Sequence, residues 1–286
     1  MAIENPIPFH HFTRDDEDSI PFELHTLEKR TYYDFSVPHR HNYFELFIFE
    51  KGGGSHLIDF NEFRLTNRSV HFVSPGQVHM LKRAPGSHGY IVVFSRDFFN
   101  DFNASSRLLY RHPLLHNRTH YPIMEPTNDL FEALMDCVLR MKDEIGSKRS
   151  FRAELIRIYL QEFLLKSIEG LVEKSKLPDL VMEFFAVLET RFFELHQVRE
   201  YASALKCTDR FLGDVLKTHT GKGTQEHINQ RIVLEAKRLL QFSELNVREI
   251  GFRLGFEDPA HFGKFIKKHL GTSPGAFRKG EPLNNP

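Results

Sequence analysis

The sequence has no tryptophan and only two cysteines, Cys137 and Cys207, among its 286 residues. Cysteines so far apart make no CxxC-type site, so neither a disulfide framework nor a cysteine-ligated zinc is expected, and reduced thiols fit a cytoplasmic location. Long apolar runs are missing as well. The most apolar stretch, Leu180 to Leu188, is short and interrupted by Glu183, and the N-terminus (MAIENPIPFHHF) lacks the basic and apolar regions of an export signal. Neither secretion nor a membrane span is expected. No G-x-S-x-G elbow and no Walker phosphate loop occurs, so nothing points to a nucleophilic triad or nucleotide hydrolysis. Excess charge of one sign is absent too, with 38 Lys+Arg against 38 Asp+Glu.

What the chain does have is 28 phenylalanines and 41% hydrophobic residues, enough to fill two cores at this length. The zero net charge conceals a division. His196 to Gly280 carries 15 Lys/Arg and 9 Asp/Glu, and the remainder is acidic by the same margin. A basic C-terminal third suggests that one end meets a polyanion, although charge alone favours a solvated lysine-rich face.

Short runs of β-branched and aromatic residues recur with turns from Glu23 to about Phe94: Tyr43 to Phe49, Gly52-Gly53-Gly54, His56 to Phe60, Phe63 to Leu65, His71 to Val73, Ser74-Pro75-Gly76, and Tyr90 to Phe94. Such spacing predicts a β-sandwich or barrel. After Arg96 the period changes. Leu130, Leu134, Val138 and Met141 mark a helix over 129–145, and Leu155, Ile158, Phe163 and Leu165 mark another over 150–172 with Ser150 as its N-cap. Two such helices either close the β-domain's core or share a stripe with a second subunit, and a homodimer through them is the expectation. The link Lys174 to Pro178 separates a domain over 1–174 from one over 178–280, which is helical throughout.

The strongest local signal is NVREIGFRLGFEDPAHFGKFIKKHL, residues 246–270. Val247, Ile250 and Leu254 lie on one side of a helix, and Gly255 follows where a left-handed conformation is cheap only without a Cβ. Asp258 is the next N-cap and Pro259 the first helical residue. Phe262, Phe265 and Ile266 then point inward, while His261, Lys264, Lys267 and Lys268 point outward. A degenerate copy spans 198–217, with Thr208 as N-cap, Phe211, Leu212 and Val215 inward, and Arg210, Asp214 and Lys217 outward. The two are joined by one helix over 224–242 with Ile228, Ile232, Ala236 and Leu239 inward. At 1.5 Å per residue this connector is about 27 Å long, close to one DNA turn of about 34 Å. Two helix-turn-helix readers on one rod point to major-groove binding of duplex DNA, with lysines on phosphates and Arg210 and His261 at base edges.

These residues resemble the AraC/XylS family of bacterial transcription regulators. The likeness runs from about Val198 to Lys279 and rests on Gly221-Lys222, Glu235 to Leu240, Gly255-Phe256, Asp258, His261-Phe262, Lys267, Gly271, Thr272-Ser273-Pro274 and Phe277-Arg278. It implies that both readers enter successive major grooves of promoter DNA and that the protein works with RNA polymerase to adjust transcription, with activation as the expectation. Lys206 departs from the pattern where the family often carries Gly, Leu216 and Ile266 where it often carries Phe, and Gly263 where Ser is common.

The second constellation is Pro38-His39-Arg40-His41-Asn42-Tyr43-Phe44-Glu45 with Pro75-Gly76-Gln77-Val78-His79. On a strand His39, His41, Tyr43, Glu45 and Phe47 share a face. With His79 they would supply three nitrogens and one oxygen to Fe, Mn, Ni or Zn, and the spacing resembles the cupin motif pair. Similar residues in AraC-type sensor domains line an effector cavity without metal. Three readings stay open here: a hydrogen-bonded rim, a small-molecule pocket of His39, His41, Glu45, Phe47, His79 and Tyr90, and a metal site of His39, His41, Glu45 and His79. The expected architecture is α+β, a cupin-like β-barrel with following helices and then an all-α domain. No cofactor is expected. The leading function is an effector-controlled transcription regulator, and the alternative is a metal-dependent cupin oxygenase or isomerase fused to a DNA-targeting module.

Overall fold

The computed structural model describes residues 7–12, 20–28, 35–99, 109, 112, 114–115, 122–147, 149–169 and 178–279. Those from 8 to 169 form one compact unit and those from 178 to 279 another. Of the expected link only Pro178 lies within the described residues, and the last residues of the helix expected over 150–172 lie outside them.

In the first unit, β1 (Phe9–His10) pairs in parallel with β3 (Arg40–His41). Strands β2 (Phe22–Thr26), β4 (Phe44–Lys51), β7 (Ser69–Val73), β9 (His88–Phe94) and β10 (Ile123–Met124) form an antiparallel sheet in the order β10-β7-β4-β9-β2. Strands β5 (Gly54–Ile58), β6 (Asn61–Arg64) and β8 (His79–Arg83) form a second sheet in the order β6-β5-β8. The central strand, FELFIFEK, shows no polar alternation over its first six residues because both its faces are buried. Phe47 and Phe49 pack with Val73, Ile91, Ile58 and Leu81 between the two sheets. Phe44, Leu46 and Ile48 pack with Val70, Phe72, Val92 and Phe94 against the helices. The result is a cupin-like sandwich whose sheets close through side-chain packing, with no ladder joining them among the described residues.

The helices are α1 (Asn128–Ile145), capped by Thr127, and α2 (Arg152–Glu169). The stripe expected on α1 holds, since Leu134, Val138 and Met141 are buried and Leu130 is partly so. That on α2 does not. Ile156, Leu160, Phe163 and Leu164 are buried, whereas Ile158 and Leu165 are each 54% exposed. At 100° per residue Ile158 and Leu165 fall nearly in line with each other and on the opposite side from Ile156 and Phe163. Helix α2 also starts two residues past Ser150, which is no cap.

The second unit contains α3 (Asp179–Arg191), α4 (Val198–Ala204), α5 (Asp209–Thr220), α6 (Thr224–Phe242), α7 (Val247–Arg253), α8 (Pro259–Leu270) and α9 (Pro274–Arg278). Ile228, Ile232, Ala236 and Leu239 of α6 are buried as expected. The helix contacts α3, α5, α7, α8 and α9. Arg231 is held by Glu189 at 2.9 Å and Glu235 at 3.4 Å, and its guanidinium lies 3.8 Å from the Phe192 ring centroid. Glu235 also meets the fully buried Arg238 at 3.3 Å. Removing one partner would leave an uncompensated buried charge, so the network fixes α3 against α6. Ser273 caps α9, and Arg278 donates to the carbonyls of Leu240 and Leu245 at 3.0 and 2.5 Å, tying the last helix to the end of α6.

Candidate DNA-reading surface and sensor site

Helices α5 and α8 are twelve residues each, fifty positions apart, and share one pattern of burial. Leu212 and Leu216 are buried in α5 where Phe262 and Ile266 are buried in α8. Each helix ends at a glycine in the left-handed region, Gly221 or Gly271. Lys217, His261, Lys264, Lys267 and Lys268 are exposed, with Arg210 and Asp214 at 94% and 75% in a loose 3.9 Å pair. Thr208 and Asp258 are spoken for as N-caps. The Thr208 hydroxyl accepts from Phe211 N, and Asp258 accepts from the N–H groups of Ala260 and His261. Both set the start of a reader helix, and Asp258 has each carboxylate oxygen engaged.

Two details depart from the sequence reading. Phe211, expected inward, is 55% exposed. Leu212 and Leu216, four residues apart, define the buried line, and Phe211 lies about 100° away from Leu212 at the position His261 takes in α8. The turns also differ. Gly255 has φ 82°, and a Cβ there would come within 2.2 Å of the Phe193 carbonyl oxygen, so glycine is obligatory. Lys206 takes the same left-handed conformation at φ 54° as a non-glycine residue.

In the first unit, His39, His41 and His79 are fully buried and Glu45 is 1% exposed. The loop ahead of β8 positions His79: Gly76 N donates to the His41 carbonyl at 2.8 Å, Val78 N to Asp59 at 3.2 Å, and Ser74 N to the Gln77 side chain at 2.7 Å. The Nδ1–H of His41 donates to the Tyr43 carbonyl at 2.7 Å, which leaves its Nε2 as a lone pair. That atom lies 3.1 Å from His79 Nε2 and 3.2 Å from Glu45 Oε2, and His79 Nε2 lies 3.4 Å from the same oxygen. Ligands about 2.0–2.1 Å from a tetrahedral ion stand about 3.3 Å from one another, so this triangle fits a divalent metal. His39 belongs to the cluster but not to the triangle. Its Nδ1 is turned to the Val37 carbonyl at 2.9 Å, and the three atoms that lie close enough together to share one ion are those of His41, Glu45 and His79.

Two further histidines, unmarked by any motif, extend the cluster. His56 Nε2 lies 3.2 Å from His79 Nδ1, and His56 Nδ1 lies 3.2 Å from His71 Nδ1, with the two rings stacked. Phe47 meets His56 edge-on at 4.9 Å, and Phe49 meets His71 at 5.1 Å. Burial pushes His39 down to about 4 and His71 to about 3, and drives His56 and His79 well below the usual histidine range. All four are neutral at pH 7, the form in which imidazole binds a metal or accepts a hydrogen bond. Register could have found both. Each sits mid-strand among apolar residues, and His71 pairs directly with Phe47. Tyr90 does not belong here. It pairs with Ile48 and packs with Val92 on the helix side, under the Lys142 ammonium. Residues opposite one another in a ladder share a face, so Ile91, paired with Phe47, occupies the place expected for Tyr90.

Among the described residues no helix is long and apolar enough to cross a membrane. Residues 23–164 match the family model described as an AraC-like ligand binding domain, and residues 201–280 match that of a helix-turn-helix domain. The HTH-type transcriptional activator RhaS of Enterobacter sp. (strain 638) is 26% identical over 245 residues, covering 85% of this chain and 87% of that protein. RhaS of Escherichia fergusonii is 25% identical over the same length and shares. Among solved structures, ToxT from Vibrio cholerae aligns over 92% of this chain and 98% of its own, at 14% identity and a TM-score of 0.41. The DNA-binding domain of AdpA in complex with a target DNA aligns over 35% of this chain and 90% of its own, at 28% identity and a TM-score of 0.33.

Proposed function

The chain belongs to the AraC family of transcription regulators, and from that premise we propose that it binds promoter DNA as a homodimer, with α5 and α8 in successive major grooves, under the control of an effector held by the first unit. The observation that carries the reading is the duplicated helix: two twelve-residue reader helices with the same burial pattern and the same left-handed glycine at their ends, one before and one after a single connector in the chain. Lys217, Lys264, Lys267 and Lys268 neutralise phosphates, and Arg210 and His261 face base edges. Pairing of subunits is supported by Phe151, just ahead of α2, and Ile158 and Leu165 within it, which repeat every seven residues and are 54–70% exposed, the seam of a two-helix contact. The relatives are named transcriptional activators, and in this reading the bound dimer engages RNA polymerase. The relatives point to a regulator rather than an enzyme. Selection of binding sites from a randomised duplex pool with the full-length chain tests the reading. Enrichment of half-sites about one helical turn apart is expected, and absence of binding even at low salt refutes it.

The effector itself has two candidate chemistries, a small organic molecule or a divalent metal ion. The metal reading is favoured by the triangle of His41 Nε2, His79 Nε2 and Glu45 Oε2, whose edges of 3.1–3.4 Å fit an ion. Bound there, the ion would supply a charge that locks β3, β4 and the loop before β8 together. Titration of the purified chain with Zn, Mn, Ni or Fe(II), read by calorimetry, separates the two. Stoichiometric binding lost in Glu45→Gln supports the metal, and no binding of any of them returns the site to an organic effector.

A further inference from the structure

The outward faces of the two readers differ in chemistry. On α8 they offer His261, Lys264, Lys267 and Lys268, with no acidic residue. On α5 the carboxylates of Asp209 and Asp214 offset Arg210 and Lys217, and Phe211 stands between them. Phosphates are attracted to the first surface and gain little from the second. Phe211, 55% exposed on a helix otherwise polar on that side, offers its ring to a partner. The other exposed phenylalanines of this unit have one in the fold: Phe252 lies under the Arg248 guanidinium at 5.4 Å, and Phe193 meets Phe192 at 5.5 Å. Phe211 has no ring or cation against it among the described residues.

Phe211 is the third residue of α5, and the N-terminal residues of a recognition helix are those that contact base edges. The apolar group that B-DNA displays in its major groove is the C5-methyl of thymine. We propose that α5 selects a half-site in which a thymine methyl packs on the Phe211 ring, while α8 reads its own half-site and supplies most of the phosphate anchoring. The inference rests on the DNA-binding reading above and names the sequence feature that the first reader recognises. Beside the methyl, Asp214 is placed to accept from a cytosine N4 amino group and Arg210 to donate to a guanine once their loose pair opens.

The test compares full-length wild type with Phe211→Ala in selection from a randomised duplex pool, followed by affinity measurements on the winning duplex with single thymines replaced by deoxyuridine. That replacement removes only the methyl. Wild type is expected to enrich a thymine in the half-site of the first reader, and Phe211→Ala to lose that preference while keeping the half-site of α8. Deoxyuridine at this position should weaken wild type about fourfold, the worth of one buried methyl group, and leave the variant unchanged. A variant that keeps every thymine preference, or a deoxyuridine penalty equal in both proteins, overturns the proposal and leaves DNA binding standing. Failure of wild type to enrich any sequence overturns both. Because Phe211 is exposed and its backbone carries the Thr208 cap, the alanine variant retains the fold.

Discussion

Acidification should destabilise the first unit, through histidines that folding keeps neutral. His71 and His112 are fully buried, burial holds each near a pKa of about 3, and neither touches the metal-fitting triangle. Unfolded, each returns to about 6.5. Between those values the unfolded chain binds more protons than the folded one, so stability is whole above about pH 6.5 and falls as the pH drops through the window towards 3. At pH 5 an unfolded histidine with pKa 6.5 favours unfolding by about 2 kcal/mol, so the two together remove about 4 kcal/mol relative to neutral pH. That is a large fraction of a typical domain's stability. Hydrogen exchange of peptides from β4 and β7 in the full-length chain, followed by mass spectrometry at pH 7, 6 and 5 over a urea series, would measure it. His112→Gln should reduce the difference between pH 7 and pH 5 by about 2 kcal/mol, whatever it does to stability at pH 7 through the lost 2.8 Å contact with Ser167. An undiminished difference in that variant would refute the assignment of the acid response to this histidine.

Lys206→Gly should stabilise the second unit by about 0.5–1 kcal/mol, read by urea unfolding, because the lysine sits at φ 54° with its side chain exposed. No gain would mean that the turn relaxes without cost. Replacing Lys264, Lys267 and Lys268 one at a time by alanine should each lower the dependence of log affinity on log salt by about one, with little change in preferred sequence. A changed sequence preference with an intact salt slope would move that lysine from phosphate to base. Ile158→Lys with Leu165→Lys should turn a dimer into a monomer in sedimentation while the monomer stays folded, since both side chains are already half in solvent. A dimer that persists would place the subunit contact elsewhere.

Much of the second unit was legible because its signals are local. Asp258, Pro259 and Gly255 punctuate the chain through backbone geometry that three or four residues dictate, and the helices start and stop where those residues say. The sensor site was legible only in part. His39, His41, Glu45 and His79 announce themselves by spacing, but His56 and His71 join them through pairing between strands distant in sequence. Tyr90 was misplaced for the same reason, since a strand buried on both faces carries no alternation to say which side faces in. Helix α2 misled through abundance. With apolar residues nearly all round, its periodicity admits several stripes, and only the packing against α1 and the sheet distinguishes the core line from the one at Ile158 and Leu165. Arg238 was unreadable as a buried residue, because its neighbour Glu235 reads equally well as one half of an exposed i,i+3 pair, and only the packing of α6 against other helices buries it.

Under the proposed binding mode, the ionic clamp of Glu189, Arg231, Glu235 and Arg238 bears on the operator as well as on the protein. An arm that cannot flex is a ruler, and a ruler tolerates no change in the spacing of its marks. Inserting one base pair between the half-sites would rotate the far groove by about 34° and carry it about 3.4 Å along the axis, a mismatch that a stiff connector must hand back to the duplex as twist. Operators of this protein should therefore vary in letters far more readily than in phase.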